Sequence, residues 1–325
     1  MKGPALLLAG IVLFSLLDAN SKLLSGQYGV GQVVFLRYAM LLPGFLLARV
    51  LLAQLGRPGF GGEIGTRHPW LQSLRAASMM VSAAAFFLAF QRLPLADGYL
   101  VFFTAPFMTL ALAATLLRET IPRVAWAWCL VGFGGVLLAV APKLGEGGGP
   151  LLGYLAVFIG TAAFAVNQTL NRRLRGEAGL VGVVLWPSIL GLLVYGPLAT
   201  LDWVPAPGAD LARMLVNGLL AGAAVVCTAA AYRHADAARL GPWGFAALPV
   251  SVGLDLGIWG RWPDAATLLG GAVVVGACVM SERARRRGLV QTVPEGGMPA
   301  GKTWAPSAPS GSGTTVRTAE SGKAP

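Results

Sequence analysis

The chain has 325 residues, 55% of them hydrophobic and only 12% charged, with a mean hydropathy of +0.67. Soluble domains carry roughly 25% charge, so a chain this apolar would have no polar surface to present to water, and a soluble globular enzyme is excluded. The net charge of +11 does not indicate a nucleic-acid partner, because much of the basic excess lies in short linkers or the tail, where it sets membrane topology.

Length and punctuation predict ten helices, near residues 5–24, 31–52, 70–90, 97–117, 124–141, 151–170, 180–200, 211–232, 240–258 and 264–281. The first begins like a signal peptide, Met1-Lys2 followed by Leu6 to Leu17. It runs on past Asp18 to Leu24 with no small-residue cleavage site, and is read as an uncleaved span. Ionisable groups inside a span cost about 2.5–3.5 kcal/mol each, which makes every one a site candidate. Asp18 and Lys22 lie one turn apart on one face and can pair. Asp18 is either a proton- or substrate-responsive carboxylate, or half of a structural pair whose lysine snorkels to water. In the second span Arg37, followed by Tyr38 in the segment FLRYAM, offers a bidentate clamp for a carboxylate or phosphate, or a partner for Asp18. Arg75 in the third span is either a solute contact or a topology anchor.

The fourth span is the landmark: LPLADGYLVFFTAPFMTLALAATLLRETIP, Leu93 to Pro122. A Pro and an Asp cap its start, and Arg118-Glu119 close it, with Glu119 expected to cap a loop near Arg118 and Arg123. The apolar run from Gly98 to Leu117 covers about 30 Å, the thickness of a bilayer's hydrocarbon. Pro106 is expected to kink it mid-span, a break that survives only where neighbours satisfy the freed carbonyl. Tyr99, Phe102 and Phe103 share this helix and present rings for stacking or for gripping cations, or else simply pack. Gly132-Phe-Gly-Gly135 in the fifth span, and Gly270, Gly271 and Gly276 in the tenth, read as small-residue faces for helix packing or homodimer formation. Asn167 and Gln168 in the sixth span and Trp186 in the seventh can hydrogen-bond a solute or a neighbouring helix; Asn217 and Tyr232 are weaker versions of the same case. The ninth span, within Ala237 to Pro263, repeats the fourth with Pro249 in the matching place, carries Trp243 and Phe245 ahead of it, and holds Asp255 with no obvious local partner. Residues 282–325 begin ERARRRG and continue in Gly, Pro, Ser, Ala and Thr, a composition expected to be a disordered cytoplasmic tail. Cys129, Cys227 and Cys278 have no metal or redox spacing, and neither His68 nor His234 has a ligand-like neighbour, so no metal or cofactor is expected.

Placing Lys2 in the cytoplasm and alternating sides puts Arg49, Arg57 and Arg67, Arg118 and Arg123, Arg172, Arg173 and Arg175, Arg233 and Arg239, and Arg283 with Arg285 to Arg287 on the cytoplasmic side. The opposite side holds the sparser Lys22, Arg92, Lys143, Arg213 and Arg261. The positive-inside rule therefore predicts a multi-pass cell (inner) membrane protein with both termini cytoplasmic. Phe14, Asp18 and Lys22 match Phe164, Gln168 and Arg172 as aromatic, polar, cationic at i, i+4 and i+8, and Gln91-Arg92 matches Tyr232-Arg233. Units of five helices are odd in number, so a second copy must enter from the opposite face, giving two inverted repeats at 1–141 and 151–281.

On these residues the region from about 5 to 281 resembles the drug/metabolite transporter superfamily, EamA type. The carrying segment is LPLADGYLVFFTAPFMTLALAATLLRETIP, with its Pro-Leu-Ala, central Phe-x-x-Pro and closing Glu; DANSK and FLRYAM are similar to members that carry amino-acid-derived or nucleoside-like metabolites. The second repeat departs from the pattern at Trp262, near where Glu119 would recur. The resemblance implies an all-α integral membrane fold and a secondary carrier of a small polar solute working by alternating access. No GxxxxGK[ST] loop is present to hydrolyse a nucleotide. The alternatives are a polytopic membrane enzyme or lipid-linked substrate flippase, which needs convergent acids, a nucleophile–base pair or a metal, and a signalling or scaffolding membrane protein. The lipid bilayer and a small-molecule substrate are the partners expected.

Overall fold

The computed structural model describes residues 2–54, 66–116, 118, 121–146, 148–174, 180–234 and 240–291. Every regular element among them is helical: α1 (Lys2–Leu24), α2 (Val30–Gln54), α3 (Pro69–Phe90), α4 (Leu95–Phe102), α5 (Ala105–Leu116), α6 (Arg123–Val140), α7 (Gly148–Arg173), α8 (Leu180–Leu201), α9 (Gly208–His234), α10 (Ala247–Trp259) and α11 (Ala265–Gln291). Among the described residues nine stretches are long and apolar enough to cross a membrane, α4 and α5 together forming one, and Trp243–Trp259 is a shorter apolar tenth. Large apolar side chains cover the outside, Leu130 being 75% exposed with Leu137, Leu193 and Leu269 also exposed. In water this surface is a liability; against lipid it is what a multi-pass membrane protein requires.

The two proline breaks fall where expected but are built differently. The fourth span is interrupted just before Pro106. It stops at Phe102 and restarts at Ala105, with Pro106 as the second residue of the new helix, where a missing N–H costs nothing. The carbonyl of Phe103, within the break, accepts a bond of 3.5 Å from Cys278 Sγ of α11, a neighbour satisfying what the break frees. In the ninth span the six residues Gly241–Ala246 wind as a 3-10 turn, and Pro249 sits third in α10. The tail differs from expectation at its start: α11 continues through the basic cluster to Gln291, because Glu, Ala and Arg are strong helix formers. Residues 292–325 lie outside the described residues, as does Glu119.

The helices pair as α1 with α9, α3 with α7, α2 with α8 and α9, α3 with α8, α4 with α10, α6 with α11, α1 with α10, and α4 and α5 with α7. Those whose contacts fix direction run antiparallel. Asn20 meets Asn217 in α1 and α9, while Gly10 meets Thr228 in the same pair. Arg75 meets Asn167 as Gly160 meets Ala85 in α3 and α7. The small-residue faces of α6 and α11 pack on each other within one chain: a Cβ on Gly270 would stand 2.5 Å from the Gly135 carbonyl. These antiparallel pairings leave the turns 25–29, 91–94, 141–146, 202–207 and 260–264 at one end of the bundle, called here the turn end, and the start of α1 at the other.

Candidate functional site

Polar side chains inside the bundle gather along α1, α4 and α10. The Tyr99 hydroxyl donates to Asp18 Oδ2 at 2.7 Å and accepts from Ser15 Oγ at 3.2 Å. Ser15 and Asp18 face the same way because they are three apart on one helix. Asp18 and Lys22 do not pair, contrary to what their spacing allows. Lys22 Nζ lies 3.5 Å from Asp255 Oδ1, donates to the Leu93 carbonyl at 2.9 Å, and sits 4.5 Å over the Trp259 ring. The partner that Asp255 lacked in its own sequence neighbourhood comes from another helix.

Asp255 has a second task. Its Oδ2 accepts from the Ala96 N–H at 2.9 Å. Pro94, the N-cap of α4, carries no capping oxygen, so the facing helix supplies one for an N–H that would otherwise be orphaned. Asp97, also in the first turn of α4, takes both of its oxygens to Lys143 Nζ at 2.7 Å, with Thr267 Oγ1 at 2.8 Å and Tyr154 OH at 3.1 Å. Lys143 also reaches Asp264 at 2.9 Å. Asp264 is half exposed: what burial it has pushes its carboxyl up, but hydrogen bonds from Lys143 and from the Thr267 N–H outweigh that and hold it below its ordinary 3.8. A cavity of 230 Å³ opens at this turn end between Asp97, Lys143, Asp255, Arg261, Trp262 and Asp264.

A separate polar group lies between α3, α7 and α8. Arg75 is 1% exposed; it donates to Asn171 Oδ1 at 3.2 Å and to the Gly182 carbonyl at 2.9 Å. Its own carbonyl accepts from Asn167 Nδ2 at 3.0 Å. A topology anchor would snorkel to the surface, so that reading of Arg75 is corrected. Five buried polar atoms among the described residues have no hydrogen-bond partner: Arg37 Nε, Tyr38 OH, Gln72 Oε1, Arg75 Nε and Asp255 Oδ1.

The remaining expected residues divide. Tyr38 stacks on Tyr195 at 6.2 Å, and Arg37 lies close enough to attract Asp18 electrostatically without a hydrogen bond to it. Phe102 packs edge-on against Phe164 at 5.0 Å, and Phe103 against Phe245 at 5.6 Å, joining the fourth span to the sixth and ninth. Gln168 is exposed and accepts from Asn171 Nδ2 at 3.2 Å. Trp186 is half-buried and Trp243 exposed, and neither joins the ring contacts above. Asp97, Lys143, Tyr154, Asp264 and Thr267 were missed. The available signal was Lys143 itself, a lone cation in a Gly-rich linker on the basic-poor side of the topology.

No family model matches the chain. Over 277 residues it is 24% identical to the S-adenosylmethionine uptake transporter of Rickettsia felis, covering 85% of this chain and 91% of that protein. It is 26% identical to the pseudopaline exporter CntI of Pseudomonas aeruginosa, covering 84% and 93%, and 27% identical to a riboflavin transporter of Rhizobium johnstonii, covering 87% and 91%. Its fold is shared by a crystal structure with a TM-score of 0.62 at 20% identity, covering 88% of this chain and 98% of that one. The chain is a multi-pass helical membrane protein similar along most of its length to proteins named as transporters.

Proposed function

We propose that the chain is a secondary transporter that moves a small polar metabolite across the cytoplasmic membrane by alternating access, built as two inverted five-helix repeats with both termini in the cytoplasm. The observation that carries this reading is the set of buried polar atoms without a hydrogen-bond partner among the described residues on Arg37, Tyr38, Gln72 and Arg75, in helices long and apolar enough to cross a membrane, where such groups are costly. Packing alone gives no reason to keep them; a solute or water passing through does. The helix pairings support the repeat. Exchanging the first five spans for the last five turns α1 with α9 into α7 with α3, α2 with α9 into α8 with α3, and α1 with α10 into α7 with α4 and α5, while α2 with α8, α4 with α10 and α6 with α11 map onto themselves; all of these pairings occur. The relatives' names support the transport chemistry, and the segment around Phe103 and Pro106 still resembles the EamA-type drug/metabolite transporters.

A gradient of solute or protons, or exchange, supplies the energy. Asp18 and Asp255 are the proton carriers under this reading. The test is flux into proteoliposomes holding the purified chain, with amino acids, nucleoside-like metabolites and flavins offered under an imposed pH gradient. Accumulation of one class supports it; conversion without movement indicates an enzyme, and neither indicates a scaffold. Asp18→Asn with Asp255→Asn is expected to abolish the pH dependence of uptake, and unchanged dependence removes proton coupling.

A further inference from the structure

Two opposite charges stand at one depth of the bundle without closing on each other. On α1 the exposed large side chains are Val12, Leu16 and Leu23, a lipid-facing stripe. Asp18, two residues past Leu16, stands about 200° round the helix from it, so its half-buried carboxylate borders the interior. Its Oδ2 accepts from the Tyr99 hydroxyl at 2.7 Å; among the described residues Oδ1 has no donor and no cation pairs with it. Arg37 lies across from it on α2. Leu17 and Tyr38, the neighbours of the two charges, share one apolar cluster. From α9, Asn217 meets Asn20 and Ser21 of α1, and a Cβ on Gly218 would stand 2.5 Å from the Arg37 carbonyl, which sets both charges at one level. Arg37 attracts Asp18 electrostatically. Yet among the described residues no hydrogen bond or ion pair engages its guanidinium, and its Nε is buried. Direct pairing would lower the cost of both charges inside a membrane, and the packing keeps them apart. Beside Asp18, the Tyr99 ring meets Phe102 edge-on at 6.2 Å, and Phe102 meets Phe86 and Phe164 at 5.6 and 5.0 Å. Those three phenylalanines are only half-buried.

We propose that the gap between Asp18 and Arg37 binds a zwitterion with an apolar side chain. The ammonium donates to Asp18 Oδ1, the carboxylate takes the planar fork of Arg37, and the apolar part lies against Phe86, Phe102 and Phe164. A solute with one charge alone leaves the opposite pole unpaired and out of water, which is costly. A zwitterion answers both poles at once and brings no net charge into the bundle. The inference rests on the transporter reading and deepens it, by naming the charge class of the solute and the two side chains that select it.

The test uses the full chain in nanodiscs with three probes: leucine, leucine methyl ester without the carboxylate, and N-acetylleucine without the ammonium. Binding is read by titration calorimetry and as a rise in melting temperature. Leucine is expected to bind about ten- to a hundredfold more tightly than either derivative, the range of one charge-assisted hydrogen bond. Asp18→Asn is expected to bring leucine down to the affinity of N-acetylleucine and leave N-acetylleucine unchanged. Arg37→Gln is expected to bring leucine down to the ester's affinity and leave the ester unchanged. Asp18→Asn keeps an oxygen for the Tyr99 hydroxyl, so it is expected to fold and is the deciding variant should Arg37→Gln not. Leucine binding no more tightly than its derivatives, or Asp18→Asn retaining the preference over N-acetylleucine, overturns the site. Flux is read separately: transport without this selectivity removes the site and keeps the transporter, whereas selectivity without transport does the reverse.

Discussion

Two helix pairs hold the bundle with polar side chains at nearly equal burial and opposite chemistry. Between α1 and α9, Asn217 is 0% exposed; it accepts from Asn20 Nδ2 at 2.8 Å and donates to Ser21 Oγ at 3.2 Å, while Asn20 also reaches the Arg213 carbonyl at 2.8 Å. Between α3 and α7, Arg75 is 1% exposed and leans on Asn167, Asn171 and Gly182, with Nε left over. The first pair demonstrates that neutral amides suffice to join two spans at this depth. A full charge in the second is more than joining requires, and among the described residues no carboxylate answers it. That excess is what the proposed transport reading assigns to a contact with the solute.

The comparison is sharpest at Arg75. Replacing it by Ala leaves a hole and strands the Asn171 and Gly182 acceptors, and is expected to cost about 3 kcal/mol in detergent unfolding. Arg75→Met keeps the volume without the charge, and buried charges exchanged for apolar groups are often neutral to stability. That variant is expected to melt near the parent temperature yet lose about tenfold in flux; full flux would break the comparison. Next comes Asn217→Ala, expected to cost about 1–2 kcal/mol by leaving Asn20 and Ser21 short of partners, with flux per folded molecule unchanged. A loss of flux as large as that of Arg75→Met would make the two pairs alike.

The smallest effect belongs to neither pair and serves as the control. The Asp264 carboxyl is held below its ordinary 3.8 in the folded chain, so the unfolded chain binds its proton more readily. Its contribution is complete above 3.8 and fades as pH falls through the lowered value. Asp264→Asn is therefore expected to melt below the parent at neutral pH, and the gap in melting temperature to close as the pH falls through that lowered value.

Much of the frame was legible because the bilayer restricts what can cross it. Apolar length predicted ten spans, of which nine reach membrane length among the described residues and Trp243–Trp259 is shorter; Pro106 and Pro249 stand just inside the helices that follow the two breaks. The sequence did not show that the helix hydrogen bonding would lapse over Phe103 and Thr104. Nor did it show that the Phe103 carbonyl there would accept from Cys278 Sγ of α11. Gly132, Gly135 and Gly270 were recognisable as close-packing positions; that α6 and α11 use them on each other within one chain was not.

Periodicity along a single helix determined which residues share a face, so Asp18 and Lys22 were correctly placed side by side. What they bind was settled by which helix crosses there. Tyr99 of α4 takes the carboxylate, Asp255 of α10 takes the lysine, and the capping need of α4 fixes Asp255 in turn. Spacing is a property of one strand of covalent bonds and can be read from it. Partnership between buried charges is decided by distances of a few ångströms between segments far apart in the chain, and only the packed bundle sets those.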